Sequence, residues 1–391
     1  MARILYIHQY FKTPEEGGSI RSWYIARAMI KEGHEVEMVT AWDGPGTKIS
    51  ERDGIRVHYL PVAYDQAMGT MRRLWAFWRF ARQARHYAQR LHAPDLIYAT
   101  STPLSVGIPA RKLKKYWGVP FIFEVRDLWP EAPIRLGVIR WQWLQKELYE
   151  LERSIYANAD AVIALSPQMA EGVRAVNESV PVHMIPNMAD TEYFQPTQPG
   201  GLSFTRENPL RIAYTGAAGY SNDIAYICSL AANVQHLPVQ FDIMATGAEL
   251  PFLRKRTADI PSICWHPYGS KEKVRSLLGV CHFSMVLFRQ NTILKSNSPN
   301  KFFDALAAGK AILVNIPGWV CDLVGDSQCG WYIPRGEEDR LEEKIRHLIG
   351  NPDELSSMQA ASRALAIDRF DREQLCNQVL EVVSQQLLKT S

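Results

Sequence analysis

Along the chain, short and almost wholly apolar runs alternate with stretches whose apolar residues recur at helical spacing. The runs at 3–7, 33–40, 55–60, 95–99, 120–124 and 161–165 read as buried strands, with helices between them over 103–117 and from the loop at 14–21 to Gly33. Strands apolar on both faces and linked by helices form a parallel sheet covered on both sides, which predicts a doubly wound α/β fold. The same alternation resumes with strands at 210–215, 239–245, 263–265, 283–287 and 311–315 and a helical pattern over 353–389. Between the two series, 195–209 is rich in Pro, Gly, Thr and Asn and reads as a linker. Two domains are therefore expected, at 1–195 and 209–370, each large enough for its own core.

The stretch from Phe288 to Asn315 carries the strongest chemical signal. A polar loop runs into a helix, and Ser298 and Pro299 suit the cap and first turn. Lys301 follows in that turn, where a cation opposes the helix dipole but suits a phosphate gathered by the free N–H groups. Asp304 falls one turn on, near the face of Asn300 and Lys301, where a carboxylate can accept hydrogen bonds from sugar hydroxyls. Gly309 ends the helix. An ordinary capped helix with surface charges is the competing reading.

Ligands of doubly wound sheets sit at the carboxyl ends of the strands. In the first half those ends carry His8, the loop with Gly17, Gly18 and Arg21, and the cluster Arg126, Asp127 and Glu131. Adjacent glycines permit close backbone approach; alone they are equally well a flexible loop. Asp127 could orient or deprotonate an acceptor hydroxyl and Arg126 could steady a phosphate, or the two could simply close a loop as an ion pair. In the second half, Gly216 opens a small-residue turn after the first strand, and Arg289 precedes the Lys301 loop.

Residues 68–91 project as a two-faced helix, with Leu74, Phe77, Trp78, Ala81, Ala84 and Ala88 on one side and Arg72, Arg79, Arg82 and His86 on the other. Trp75 lies toward the boundary, and Arg73 adjoins it. Arginines interleaved with tryptophans suit an anionic membrane interface, and a helix packed on its own core is the alternative. The segment from 66 to 123 holds ten Lys or Arg against one acid, Asp95, although the net charge of the 391-residue chain is only +3. That balance gives no reason to expect nucleic acid as a partner.

Other classes are excluded by what the sequence lacks. No GxGxxG follows the first strand, which disfavours a dinucleotide oxidoreductase. No two aspartates are separated by one residue, so no DxD metal site is expected. The six cysteines form no CxxC pair and read as free thiols. No apolar run reaches membrane-spanning length and the first residues do not resemble a signal peptide, so a cytoplasmic location is expected.

The phrase Phe303-Asp304-Ala305-Leu306-Ala307-Ala308-Gly309-Lys310-Ala311-Ile312 resembles the E-AxAxGxPVV signature of the retaining glycosyltransferase family 4. Residues 185–194 resemble that family's PNGVDxxxF phrase with Met188 in place of glycine, and 127–131, DLWPE, resemble the O-antigen and capsule polysaccharide branch. The resemblance implies a GT-B fold, with two Rossmann-like domains facing a central cleft and the helix at 371–391 returning to the first. It implies a donor nucleotide-diphosphate sugar, UDP-linked, bound by Gly17, Gly18, Gly216, Arg289, Ser298, Asn300, Lys301 and Asp304, with no cofactor and no metal. It also implies transfer with retention to a hydroxyl of a lipid-linked glycan held by His8, Arg21 and Glu131, with Asp127, Arg126 and Lys301 catalytic, on the inner face of the membrane. That face would be met by Arg72, Arg73, Trp75, Trp78, Arg79 and Arg82. Ser296 stands where the family has its first glutamate, and the turn 220–223 lacks the family's Arg and Lys. A nucleotide-sugar 2-epimerase and a non-catalytic sugar-binding scaffold share these features and are the rival readings.

Overall fold

A computed structural model describes residues 1–18, 20–65, 68–197, 203–219, 221–247 and 249–389. Part of the expected linker, 198–202, and Tyr220 of the turn 220–223 lie outside the described residues. The chain folds as two α/β units, each with a parallel sheet.

The first unit comprises residues 1–13, 20–186 and 373–389. Its strands are β1 (Arg3–Ile7), β2 (Glu35–Trp42), β3 (Lys48–Arg52), β4 (Ile55–Pro61), β5 (Leu96–Thr100), β6 (Phe121–Val125), β7 (Ala161–Ala164) and β8 (Val182–Met184). They run in the order β3-β4-β2-β1-β5-β6-β7-β8, all parallel except the edge strand β3. β5, β6 and β7 are buried along their whole length, as central strands covered on both faces must be. β3 escapes the sequence pattern because it is mostly exposed and polar, KISER, and pairs only with β4.

The second unit comprises 14–18 and 187–372. Its strands are β9 (Leu210–Ala217), β10 (Val239–Thr246), β11 (Ile263–His266), β12 (Phe283–Val286), β13 (Ala311–Val314) and β14 (Gly330–Tyr332), in the order β11-β10-β9-β12-β13-β14 and parallel throughout. Leu210, Ile212, Tyr214, Phe241, Ile243, Phe283, Met285 and Leu313 form the centre of its core.

The unit boundary lies at Pro186 and Asn187, earlier than the composition of 195–209 suggests. The physical reason is that 187–192 is bonded into the second unit. Asn187 donates from Nδ2 to the Ser298 carbonyl at 2.5 Å, Ala189 forms a bridge with Asp371, and Asp190 meets Arg372 at 3.0 Å. The glycine pair Gly17 and Gly18, expected with the first domain, also groups with the second unit.

Candidate functional site

The second unit places a niche where β9 ends and the helix Asn300–Ala307 begins. Gly216 adopts φ +122°, a region that side chains disfavour, and the Lys301 side chain lies across it. A Cβ on Gly216 would come within 3.3 Å of both Cε and Nζ of Lys301. The Lys301 ammonium sits 3.8 Å from the Tyr214 ring centroid, is itself buried, and has no hydrogen-bond acceptor among the described residues. Burial draws its pKa down from 10.5 to about 7. A buried ammonium with only a ring face beside it is costly unless something from outside supplies negative charge. The first turn of the helix adds N–H groups with no partner inside the helix.

Ser298 does not cap that helix. Pro299 occupies the cap position, and the Ser298 hydroxyl accepts from the Asn187 N–H at 3.4 Å instead. Asn300 is the first helical residue. At the other end Gly309 takes φ +61°, while Lys310 N–H returns to the Ala305 carbonyl. Ser296 is buried in the short turn Thr292–Ser296, and its hydroxyl donates to the Ile293 carbonyl at 2.7 Å. Arg289, the other donor-binding cation expected, is ion-paired with Glu249.

Asp304 is partly buried, and burial raises its pKa. Lys271, the first residue of the helix Lys271–Val280, opposes that rise, its Nζ lying 3.5 Å from Asp304 Oδ1 and 3.9 Å from Asp190 Oδ2. The aromatic rings of Phe194 and Tyr193 lie beside the same ammonium, at 5.1 and 5.7 Å. Sequence reasoning passes over Lys271 although the signal that marks Lys301, a cation in a helix's first turn, is equally present there.

In the first unit, the ends of β1, β5 and β6 gather a separate polar group. Asp127 Oδ2 accepts a hydrogen bond from Thr102 Oγ1 at 2.8 Å. Burial raises the Asp127 pKa, with Thr102 and Arg126 opposing, and this moves the carboxylate toward the range of a working base. His8 is 3% exposed, and its Nδ1 has no partner among the described residues. Burial, and then the nearby Arg126 charge, hold its pKa well below the usual imidazole value, so it is neutral and offers a lone pair or an N–H. The Arg126 charge acts on both Asp127 and His8, which brings the three expected residues to one neighbourhood. Thr102 was not singled out by the sequence.

Two expected acceptor contacts are used internally. Arg21 is 2% exposed; its Nε donates to Glu124 at 2.9 Å and its Nη2 to the Ile185 carbonyl at 3.1 Å, with Nη1 donating to the Pro186 carbonyl. Tyr98 and Thr100 also donate to Glu124, so Arg21 is a strut inside the first unit rather than a surface for an acceptor. Glu131 accepts from Arg135 at 2.5 Å and from the Tyr149 hydroxyl.

The helix Thr70–Ala88 buries Ala76, Phe77, Phe80, Ala81, Ala84 and Ala88. Trp78, assigned by projection to the buried side, is instead 46% exposed and stacks on Trp75, itself 58% exposed, with centroids 4.8 Å apart. Arg72, Arg79 and Arg82 are exposed, and the Arg82 guanidinium lies 5.5 Å over Trp78. Arg73 packs over Tyr64 at 5.8 Å and is only partly exposed. No described helix is long and apolar enough to cross a membrane.

Among the described residues one group has the donors to hold a metal ion: Asp242, Cys264 and His266. Cys264 and His266 lie two apart on β11. Asp242 already accepts from Arg211 at 2.7 and 2.9 Å, from His266 at 2.7 Å and from Gln240 at 3.0 Å, which satisfies its oxygens without an ion.

Comparison with known proteins bears on the fold and on the family. Residues 16–188 match the family described as Glycosyl transferase 4-like domain. The alpha-maltose-1-phosphate synthase of Mycolicibacterium smegmatis is 22% identical over 304 residues, 71% of this chain and 76% of that protein. Among solved structures, the sucrose-phosphate synthase of Thermosynechococcus elongatus superposes with a TM-score of 0.77 at 16% identity, covering 100% of both chains. HepE of Anabaena, solved in complex with UDP and glucose, superposes with a TM-score of 0.70 at 16% identity, covering 98% of this chain and 100% of that one. The chain thus has the two-sheet GT-B fold of these structures, and its residues 16–188 are similar to a glycosyl transferase 4-like domain.

Proposed function

We propose that the protein transfers a hexosyl or N-acetylhexosaminyl group, with retention and without a metal ion, from a UDP-sugar to a hydroxyl of a lipid-linked glycan in the synthesis of a bacterial surface polysaccharide. The observation that carries the donor half of this reading is the buried ammonium of Lys301 against Gly216, without a hydrogen-bond acceptor among the described residues. A pyrophosphate is the ligand whose charge and size suit a cation, a side-chain-free strand end and a helix N-terminus meeting at one point. HepE, of the same fold, binds UDP. Lys301 and the helix N–H groups would stabilise the charge that develops on the departing UDP, and the Asp304 carboxylate would accept hydrogen bonds from the ribose. Asp127, steadied by Thr102, is the group we assign to the acceptor hydroxyl, with neutral His8 and Arg126 beside it.

A panel of nucleotide sugars followed by thermal shift, with and without EDTA, tests the donor assignment. A UDP-sugar should stabilise the protein more than its GDP or ADP counterparts, and EDTA should leave that gain intact. Loss of the shift in EDTA removes the metal-independent reading, and the lack of any shift by UDP-sugars removes the donor reading.

The acceptor and location rest on the outer face of the helix Thr70–Ala88. Two stacked, exposed tryptophans bordered by Arg72, Arg79 and Arg82 match the aromatic and cationic make-up of a helix in an anionic headgroup layer. An enzyme held there on the cytoplasmic side would meet an acceptor anchored by a lipid.

A further inference from the structure

We propose that Lys271 is a positioning residue for the nucleotide, holding the Asp304 carboxylate ionised and aimed at the ribose hydroxyls. This rests on the reading of Asp304 as the ribose acceptor. Asp304 lies one turn behind Lys301 in the same helix, partly buried, with a second carboxylate, Asp190, close by. Burial and a neighbouring negative charge both favour the protonated acid, which would present one acceptor fewer to a diol. Lys271 is the group that answers both, within 3.5 Å of Asp304 and 3.9 Å of Asp190.

The lysine is fixed for this task. Its side chain is 14% exposed, and its ammonium rests by the rings of Phe194 and Tyr193. Arg372 takes Asp190 from the other side, at 3.0 Å, and so limits how far Asp190 can draw Lys271 away. The charged and titratable groups around Asp304 are thus Lys271 and, through Tyr193, Glu272 and Arg275 on the Lys271–Val280 helix; Asp190 and Tyr193 on the segment after Asn187; Arg372 beyond Asp190; and Lys301 on its own helix. Lys271 is the cation in salt-bridge contact with Asp304. Hydrogen bonds to an ionised carboxylate are about twice as strong as those to a neutral one, so the charge state of Asp304 is worth measurable affinity.

The test is UDP binding by calorimetry across pH for the full chain, its Lys271→Met and Lys271→Arg variants, and each in an Asp304→Asn background. Without the lysine the Asp304 pKa rises, so affinity is lost as pH falls through the raised value and recovers above it. Lys271→Met should weaken UDP by about tenfold at about pH 6 and by less than about threefold at about pH 8.5, taking ratios to wild type at each pH so that titration of Lys301 and of UDP cancels. Lys271→Arg should restore most of the affinity, and with Asn at 304 the Met change should have no further effect. A loss that is equal at all pH values and persists beside Asp304→Asn means that Lys271 touches UDP itself and overturns the proposal. Tighter binding by Lys271→Met makes the lysine a placeholder in the ribose position and overturns it equally. If the wild-type chain does not bind UDP, the donor reading fails first; if it does and Lys271→Met matches it throughout, only the role of Lys271 fails.

Discussion

Gly216 and Lys301 face each other across the end of β9, so close that a Cβ at 216 would lie 3.3 Å from both Cε and Nζ of the lysine. Two independent features favour glycine here: a backbone at φ +122°, which strains any L side chain, and a lysine that would have to shift slightly to admit a Cβ at 3.3 Å.

Gly216→Ala should therefore act twice. Strain at the positive φ and the displaced lysine should cost about 1–3 kcal/mol of stability and weaken UDP at least as much. Urea unfolding and UDP calorimetry on the same variant check the two effects separately.

Lys301→Met separates binding from folding. Transfer from the UDP-sugar should fall by about a hundredfold or more, as when a fixed donor to the leaving group is removed. Stability should rise, by about 1–3 kcal/mol, because an uncompensated buried charge is gone. The gain has a sign with pH. The folded-state pKa of about 7 lies below the ordinary lysine value of 10.5, so the unfolded chain binds more protons between those limits and wild-type stability climbs with pH across that window. The advantage of the variant should be full below about pH 7 and fade toward about pH 10 in melts recorded across the range.

Binding of UDP should draw in a proton near neutral pH. A pyrophosphate beside the ammonium favours its charged form, so the Lys301 pKa rises on binding and affinity falls as pH climbs above about 7. Calorimetry in buffers of different ionisation enthalpy reads that proton directly, and Lys301→Met should abolish the uptake.

Asp127→Asn should lower kcat by about a hundredfold or more while UDP affinity stays within about twofold, the pattern of a lost general base. Thr102→Val, which removes the hydrogen bond that stabilises the ionised carboxylate, should raise the Asp127 pKa and move the acid limb of the rate profile to higher pH.

Replacing Trp75 and Trp78 by Ala, or Arg72, Arg79 and Arg82 by Glu, should release the protein from vesicles containing anionic lipid. All five side chains are exposed, so the melting temperature should stay close to wild type. Sedimentation with anionic and with neutral vesicles decides the matter; retention on anionic vesicles by both variants would leave this helix as an ordinary surface.

The strands and the Lys301 niche were legible in the sequence because both depend on short-range pattern. Apolar runs such as Phe121–Val125 and Ala311–Val314 must be covered on two faces, and a lysine in a first helical turn is conspicuous wherever it falls. What escaped depends on partners distant along the chain. Nothing near Arg21 announces Glu124, which lies 103 residues on, and nothing near Arg289 announces Glu249. Trp78 projects beside Phe77 yet stays outside, because an ideal projection at a fixed angle per residue cannot say where a broad apolar stripe stops, and Phe80 takes the inner position. Likewise Ser298 has the chemistry of a cap, but Asn187 claims its hydroxyl from outside the helix.

The helix Arg372–Leu388 gives its buried face, Leu375, Cys376, Val379, Val382 and Val383, to the first unit, although the whole second unit precedes it in the chain. During synthesis the strands of the first unit are all made by Met184, and this helix joins that unit only after the intervening second unit has been made. The second unit ends at Arg372, so all of its elements are made before the first unit receives that helix.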